Sequence, residues 1–322
     1  VISRKITFKE LLQGSRKFLR MKLGLGLFSV NLEVTRRCNL RCDFCDYWRG
    51  KGPERRRADY GPIIRRLDPL HLTITGGEPL LRPDLPELIR AIRRGSGFVY
   101  MNLITNGSLL TVDRALSLWH AGLTQLSVSL DFPDERHDRQ RGAPGLWAHL
   151  RELLPSLGKS EIDNLCLNTV IMEENLEDLL PIARLAKRSG FKVSFSTYNP
   201  HKNNNPLHSV SSTRLALLER VVGELRRWKR EERNITNSDF YLERIPRYFR
   251  DGAVSGCLAG KKWVQVSPDG SLRRCSEREC LGSWRTFRPT LVPLTTCQEC
   301  WYACRGEAEA PLGIKRIVEL NF

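Results

Sequence analysis

Three cysteines fall within eight residues in Cys38-Asn39-Leu40-Arg41-Cys42-Asp43-Phe44-Cys45, a C-x3-C-x2-C arrangement with an aromatic side chain, Phe44, just before the last thiol. Three thiolates on one short loop can hold three irons of a cubane cluster. The fourth iron then stays open to a small-molecule ligand, because closing it from the protein would take a fourth thiolate. A second group lies far along the chain, at Cys257, Cys275, Cys280, Cys297, Cys300 and Cys304, with Cys166 alone between the two. Close spacings such as C-x2-C suit a metal centre, and disulfides are not expected in a chain that shows no secretory signal. Cys166 sits in the apolar run 165–171 and reads as a core residue.

Such chemistry needs a scaffold that brings loops together. Strand-like runs at 28–34, 71–75, 98–104, 125–130, 165–171 and 191–197 alternate with helical stretches near 58–67, 85–94, 112–121, 146–157, 176–189 and 212–231. Successive βα units with right-handed crossovers predict an α/β fold, a partial (β/α)6 barrel with its chemistry at the carboxyl ends of the strands. Strand segments such as 72–75, 126–130 and 165–171 read as mostly apolar, as a helix-covered parallel sheet requires. Beyond the last long helix, periodic runs give way to loops and the six clustered cysteines. This divides the chain into a basic helical extension over 1–27, the barrel over 28–235 and a small α+β unit over 236–322.

The chain has 322 residues, 41% of them hydrophobic, and a net charge of +16. That composition predicts an ordinary folded protein and excludes the charge-rich, apolar-poor class of disordered chains. The arginine clusters at 55–57, 65–66, 93–94 and 226–227 argue for an anionic partner. No nucleic-acid-binding motif accompanies them. The longest uncharged stretch is far short of a membrane span, so a cytoplasmic protein is expected. The segment Lys9 to Lys22, with Phe8, Leu11, Leu12, Phe18, Leu19 and Met21 interleaved, could lie on an anionic membrane surface or pack as a helix on the barrel.

The string CNLRCDFC resembles the signature of the radical S-adenosylmethionine (SAM) superfamily. After the second strand, Thr75-Gly76-Gly77-Glu78-Pro79-Leu80 is similar to the family's GGEP segment. Thr105-Asn106-Gly107, Ser127 to Asp131 and His137 to Gly142 also match common family positions. The resemblance covers about residues 28–210. It implies a [4Fe–4S] cluster on Cys38, Cys42 and Cys45, whose open iron chelates SAM. It further implies reduction by an external donor such as flavodoxin or ferredoxin, and cleavage of SAM to a 5′-deoxyadenosyl radical. Phe44, Gly76, Gly77, Glu78, Pro79 and Asn106 would then surround the cofactor, with Glu78 accepting from the SAM ammonium. Ser129 and Asp131 would lie near the ribose, Arg141 near the carboxylate and Asn168 near the methionine end.

The stretch from Cys257 to Cys275 reads C-x12-G-x4-C, which resembles the opening of SPASM and twitch auxiliary-cluster domains, with Pro268-Asp269-Gly270 turning a small hairpin. The return half, Cys297-x2-Cys300-x3-Cys304, is shorter than a full SPASM pattern, so one auxiliary [4Fe–4S] cluster is expected rather than two. The expected ligands are Cys257, Cys275, Cys297 and Cys300, with Cys304 and then Cys280 as substitutes. A structural zinc site satisfies the same spacing. The expected activity is hydrogen abstraction followed by oxidation or bond formation with the auxiliary cluster's help. Radical transfer of a methyl, adenosyl or lipid group is the alternative, and a non-enzymatic zinc module a third. With about 37 residues before the first cysteine, a small molecule or an unaided peptide is the expected substrate. Tyr198, His201 and Glu307 are candidate catalytic side chains.

Overall fold

The computed structural model describes residues 8–50 and 54–313. Arg4 and Lys5 of the basic extension, the side chains of Lys9 and Leu11, and residues 314–322 of the expected C-terminal unit lie outside the described residues.

Six parallel strands, β1 (Ser29–Glu33), β2 (His71–Thr75), β3 (Tyr100–Thr105), β4 (Gln125–Ser129), β5 (Leu165–Ile171) and β6 (Lys192–Thr197), lie side by side in chain order. The helices between them are α2 (Gly61–Leu67), α3 (Leu85–Ser96), α4 (Val112–His120), α5 (Arg136–Arg141), α6 (Leu146–Gly158) and α7 (Leu179–Arg188), and α8 (Leu215–Glu232) follows β6. Their apolar stripes cover the sheet. In α3 the buried positions Leu85, Leu88, Ile89 and Ile92 recur at helical spacing. The helix ends are marked locally. Thr111 caps α4 by accepting from the Arg114 N–H, and α2 closes on Asp68 in a left-handed conformation.

A helix α1 (Phe8–Lys22) precedes β1. It is docked by a buried cation: Lys17 Nζ lies 2.9 Å from both the Pro69 carbonyl and Asp68 Oδ1. Gln13 adds a side-chain acceptor for the Phe98 N–H. These contacts fix α1 beside the segments that lead into β2 and β3.

Two short helices, α9 (Asp239–Leu242) and α10 (Ile245–Asp251), lead to a hairpin of β7 (Trp263–Val266) and β8 (Leu272–Arg273), and α11 (Ala303–Glu309) comes last. The hairpin turn follows its sequence. Asp269 Oδ1 accepts from the Ser271 N–H, and Gly270 adopts φ +86°. The placement of this hairpin is not local information. β7 pairs in parallel with β1, from Ser29 opposite Trp263 to Leu32 opposite Val266, so the cysteine-bearing segment extends the barrel's own sheet to eight strands. The turn is held there by Tyr60, whose hydroxyl donates to the Pro268 carbonyl at 2.6 Å.

The strands are not apolar on both faces. Val30, Leu32, Leu72, Ile74, Met101, Leu103, Leu126 and Val128 face the helices and are buried. Their neighbours in sequence, among them Asn31, Thr73, Asn102 and Ser127, line an interior cavity of about 490 Å³. The strands therefore alternate apolar outside and polar inside, because only one face meets helices while the other bounds an open lumen. Among the described residues no helix is long and apolar enough to cross a membrane.

Candidate active site

The loop after β1 carries Cys38, Cys42 and Cys45, and the chain seats it from three sides. Beneath it lies the glycine pair after β2: the Gly77 N–H donates to the Thr35 carbonyl and the Glu78 N–H to the Arg37 carbonyl, both at 2.8 Å. A methyl group on Gly76 would stand 2.1 Å from the Thr35 oxygen, and one on Gly77 2.2 Å from the Arg37 oxygen. Only glycine permits this approach. On the second side α5 meets the loop, with the Arg41 and Asp43 N–H groups donating to the Arg141 and Gln140 carbonyls. On the third, Asn106 donates through Nδ2 to Asn39 Oδ1 at 3.1 Å and points the same nitrogen at Cys38 Sγ, 4.0 Å away.

Glu78 is buried beside this loop. Its Oε1 accepts from the Leu80 N–H at 2.9 Å and the Thr105 hydroxyl at 2.7 Å, and its Oε2 accepts from the Asn106 N–H at 2.8 Å. Both oxygens are thus engaged by the chain itself, which ties the end of β2 to the end of β3. Burial pushes its pKa up against the pull of those donors. Pro79 and Leu80 are buried behind it.

Asp131 and Arg141 form a buried pair. Arg141 donates from Nε at 2.9 Å and from NH2 at 2.6 Å to one carboxylate oxygen, and the other accepts from the Val170 N–H. The guanidinium lies 5.4 Å from the centre of the Phe44 ring, so this pair also braces the cysteine loop. His137 is buried beside it and accepts from the Asp131 N–H through Nδ1. Burial raises the Cys38 thiol and pushes that of Cys42 up to about 12, with Arg141 opposing both.

Cys45 and Gly76 line the lumen, as does Asn168 on β5, which stands opposite Ser129 on β4. The remaining lumen groups are mainly amides and hydroxyls, with Glu33, Lys192, Lys202, Arg233 and Glu307 as charged members. Tyr47 donates its hydroxyl to Glu33 and lies under Lys202, whose Nζ is 4.4 Å from the ring centre. The sequence reading had named none of Asn31, Glu33, Tyr47, Asn102 or Gln265. The signal for most of them was present in the polar alternate positions of SVNLE, HLTIT and YMNLIT.

The C-terminal cysteines gather on one side of the hairpin, with Cys280 apart from the rest. Cys257, Cys275, Cys297 and Cys300 line one small pocket, with Asn199, Arg274 and Arg278 around them. Cys304 lines the lumen and also packs against the cluster that holds Cys257 and Cys275. Cys280 is exposed and its thiol donates to the Leu272 carbonyl in the hairpin. Burial pushes Cys275 up to about 12 and raises Cys257 and Cys300 as well. Among the described residues no three Cys, His, Asp or Glu side chains converge on a single-ion position. Both donor sets are chemically suited to iron–sulfur centres: three thiols beside a lumen open to a ligand, and four thiols around a pocket of their own.

The catalytic candidates have other neighbours. Tyr198 is buried and donates its hydroxyl to the Asn205 carbonyl at 2.7 Å, packing edge-on against His208. His201 is exposed, with its N–H donating to Asn199 Oδ1. Glu307 alone of the three lines the lumen, and its Oε1 accepts from the Ser238 N–H.

Comparison with known proteins agrees with this geometry. Residues 32–199 match the family described as the radical SAM superfamily. The probable GTP 3′,8-cyclase of Methanopyrus kandleri is 40% identical over 220 residues, which is 64% of this chain and 66% of that protein, so the chain spans just under two thirds of its length. The PqqA peptide cyclase of Ruegeria pomeroyi is 30% identical over 286 residues, 84% of this chain and 72% of that protein. Among solved structures, Streptococcus suis SuiB bound to precursor peptide SuiA shares the fold with a TM-score of 0.65 at 16% identity, covering 97% of this chain and 72% of its own. Native anSMEcpe with bound AdoMet gives 0.59 at 19% identity, covering 80% and 78%. With the three-thiol loop, the glycine seat beneath it and a parallel strand series agreeing with a sequence match over half the chain, the protein belongs to the radical SAM superfamily and is an enzyme of that family, using SAM and a [4Fe–4S] cluster.

Proposed function

We propose that this enzyme abstracts hydrogen from a peptide substrate and completes an oxidative bond formation with the help of one auxiliary [4Fe–4S] cluster on Cys257, Cys275, Cys297 and Cys300. The observation that carries the reading is the convergence of those four thiols on one pocket, while Cys280 turns to the hairpin carbonyl of Leu272 and Cys304, packed against the same cluster, lies between it and the lumen. When bound, the SAM-binding cluster and SAM supply the hydrogen-abstracting 5′-deoxyadenosyl radical. The chain's own part is positional. Gly76, Gly77 and Arg141 hold the cysteine loop, Glu78 and Asp131 hold the segments that hold it, and Asn168 and Ser129 present polar groups to the cofactor from adjacent strands. The amide- and hydroxyl-lined lumen offers hydrogen bonds to a polar substrate and restricts solvent around the reacting carbon.

A peptide is favoured over a nucleotide by coverage. The likeness to the PqqA peptide cyclase extends over 84% of this chain, against 64% for the archaeal GTP 3′,8-cyclase. The test is anaerobic reconstitution with an iron assay, then incubation with SAM, dithionite and candidate peptides. About eight irons per chain and a peptide that loses two hydrogens in step with 5′-deoxyadenosine formation are expected. About four irons, or zinc at the second site, would overturn the auxiliary cluster.

A second reading, radical transfer to a membrane-borne or anionic substrate, draws on α1. Phe8, Leu12 and Leu19 recur at helical spacing and are 75%, 55% and 58% exposed, with Arg16 and Lys22 beside them. Pelleting with anionic liposomes tests it, and equal binding by F8S/L12S/L19S would remove it.

A further inference from the structure

We infer that Arg278 is a positioning residue that sets the potential of the auxiliary cluster, by donating a charged hydrogen bond to the one ligand sulfur of the set that is not buried. The inference rests on the auxiliary cluster proposed above. Cys257, Cys275 and Cys300 are buried, whereas Cys297 is half-buried. Arg278 NH2 stands 3.3 Å from Cys297 Sγ, and the same nitrogen pairs with Glu299, two residues further on. The arginine is therefore held over the sulfur by a carboxylate anchored in the ligand loop itself.

The other cations near the pocket are committed to oxygen. Arg274 pairs with Glu279 and donates to the Ala259 and Pro293 carbonyls. Arg305 is wholly buried and donates to the Cys300 and Val254 carbonyls and to Glu309. Arg278 is the one of these three arginines placed on a thiol.

Reducing a cubane held by four thiolates adds one electron and one unit of negative charge to a centre that is already anionic. A cation bonded to a ligand sulfur stabilises that added charge, so it raises the potential, and it does so more strongly where three of the four thiolates are shielded from water. Glu299 works in the opposite sense by neutralising part of the guanidinium charge. The pair thus gives two handles of opposite sign on one property. A residue that merely braced the loop would not show this.

The experiment is a redox titration of the anaerobically reconstituted full chain, followed by electron paramagnetic resonance of the reduced auxiliary cluster. The auxiliary signal is identified by its loss in C275S, together with about four of about eight irons. R278Q is expected to lower the midpoint potential at unchanged iron content, and E299Q to raise it. Potentials equal to the parent in both variants would overturn the inference, as would shifts of the same sign. If R278Q fails to hold iron, E299Q decides alone: a rise upholds the inference and no shift overturns it. If the parent chain holds only about four irons and C275S changes nothing, the auxiliary cluster itself fails and the role of Arg278 falls with it, a result distinct from an unshifted potential.

Discussion

Glu78 offers the sharpest test of how the site is built. The family resemblance alone puts its carboxylate on the SAM ammonium, whereas the structure engages both oxygens within the chain, with Leu80, Thr105 and Asn106. In Glu78→Gln one oxygen becomes an NH2 group. If that group faces Asn106, the Asn106 N–H loses its acceptor. If it faces Leu80 and Thr105, the Leu80 N–H loses its acceptor while the Thr105 hydroxyl can turn. Either way one buried backbone donor is orphaned, and a charged acceptor becomes a neutral one. A buried unsatisfied donor costs roughly 1–3 kcal/mol, so the expected loss is about 2 kcal/mol. That is enough to change the folded-to-unfolded ratio by roughly thirtyfold. Urea denaturation followed by tryptophan fluorescence reads it directly. The loaded variant should also lose iron faster, because the side-chain clamp steadies the backbone N–H of residue 78 that donates to the Arg37 carbonyl of the cysteine loop. A variant with the parent's denaturation midpoint and iron retention, but with SAM binding weakened about tenfold, would refute the clamp and return Glu78 to direct ligand contact.

Asp131→Ala should cost about 3–5 kcal/mol in the same denaturation assay, since it leaves the Arg141 charge buried without its partner; a loss under about 1 kcal/mol would mean that solvent or a ligand already shares that charge. Cys275→Ser should remove about four irons and Cys280→Ser none, because only the first thiol faces the four-thiol pocket; iron counts of the two variants check this, and a loss with Cys280→Ser would redraw the ligand set. His137 is buried with its pKa held well below the ordinary imidazole value by desolvation first and by Arg141 second. The folded state therefore binds fewer protons than the unfolded one below about pH 6.5, and stability should fall as pH drops through that point. Denaturation midpoints at pH 7.5 and 5.5 in the parent and in His137→Asn check the sign, and an equal fall in both would assign the pH dependence to other groups.

The sequence by itself determined the parts of this protein that depend on covalent spacing and local pattern. Cys38, Cys42 and Cys45 share one loop whatever the fold, so their joint chemistry was legible. The six strands and their helices were legible because hydrophobic period and turn residues are local signals, and the Pro268-Asp269-Gly270 hairpin for the same reason. Tertiary structure decided what depends on residues distant in the chain. The resemblance puts Cys257, Cys275, Cys297 and Cys300 first among six cysteines, but spacing alone leaves Cys304 and Cys280 as substitutes. Which four converge follows from the hairpin pairing with β1 and from the return of the 297–300 loop, contacts fixed by burial and backbone pairing across the whole chain. The same holds for Glu78 and Asp131. The family resemblance implies only that they are polar groups near a cofactor. Only packing shows that Thr105, Asn106, Val170 and Arg141 satisfy them, because a buried carboxylate takes whichever donors the neighbouring strands bring to it.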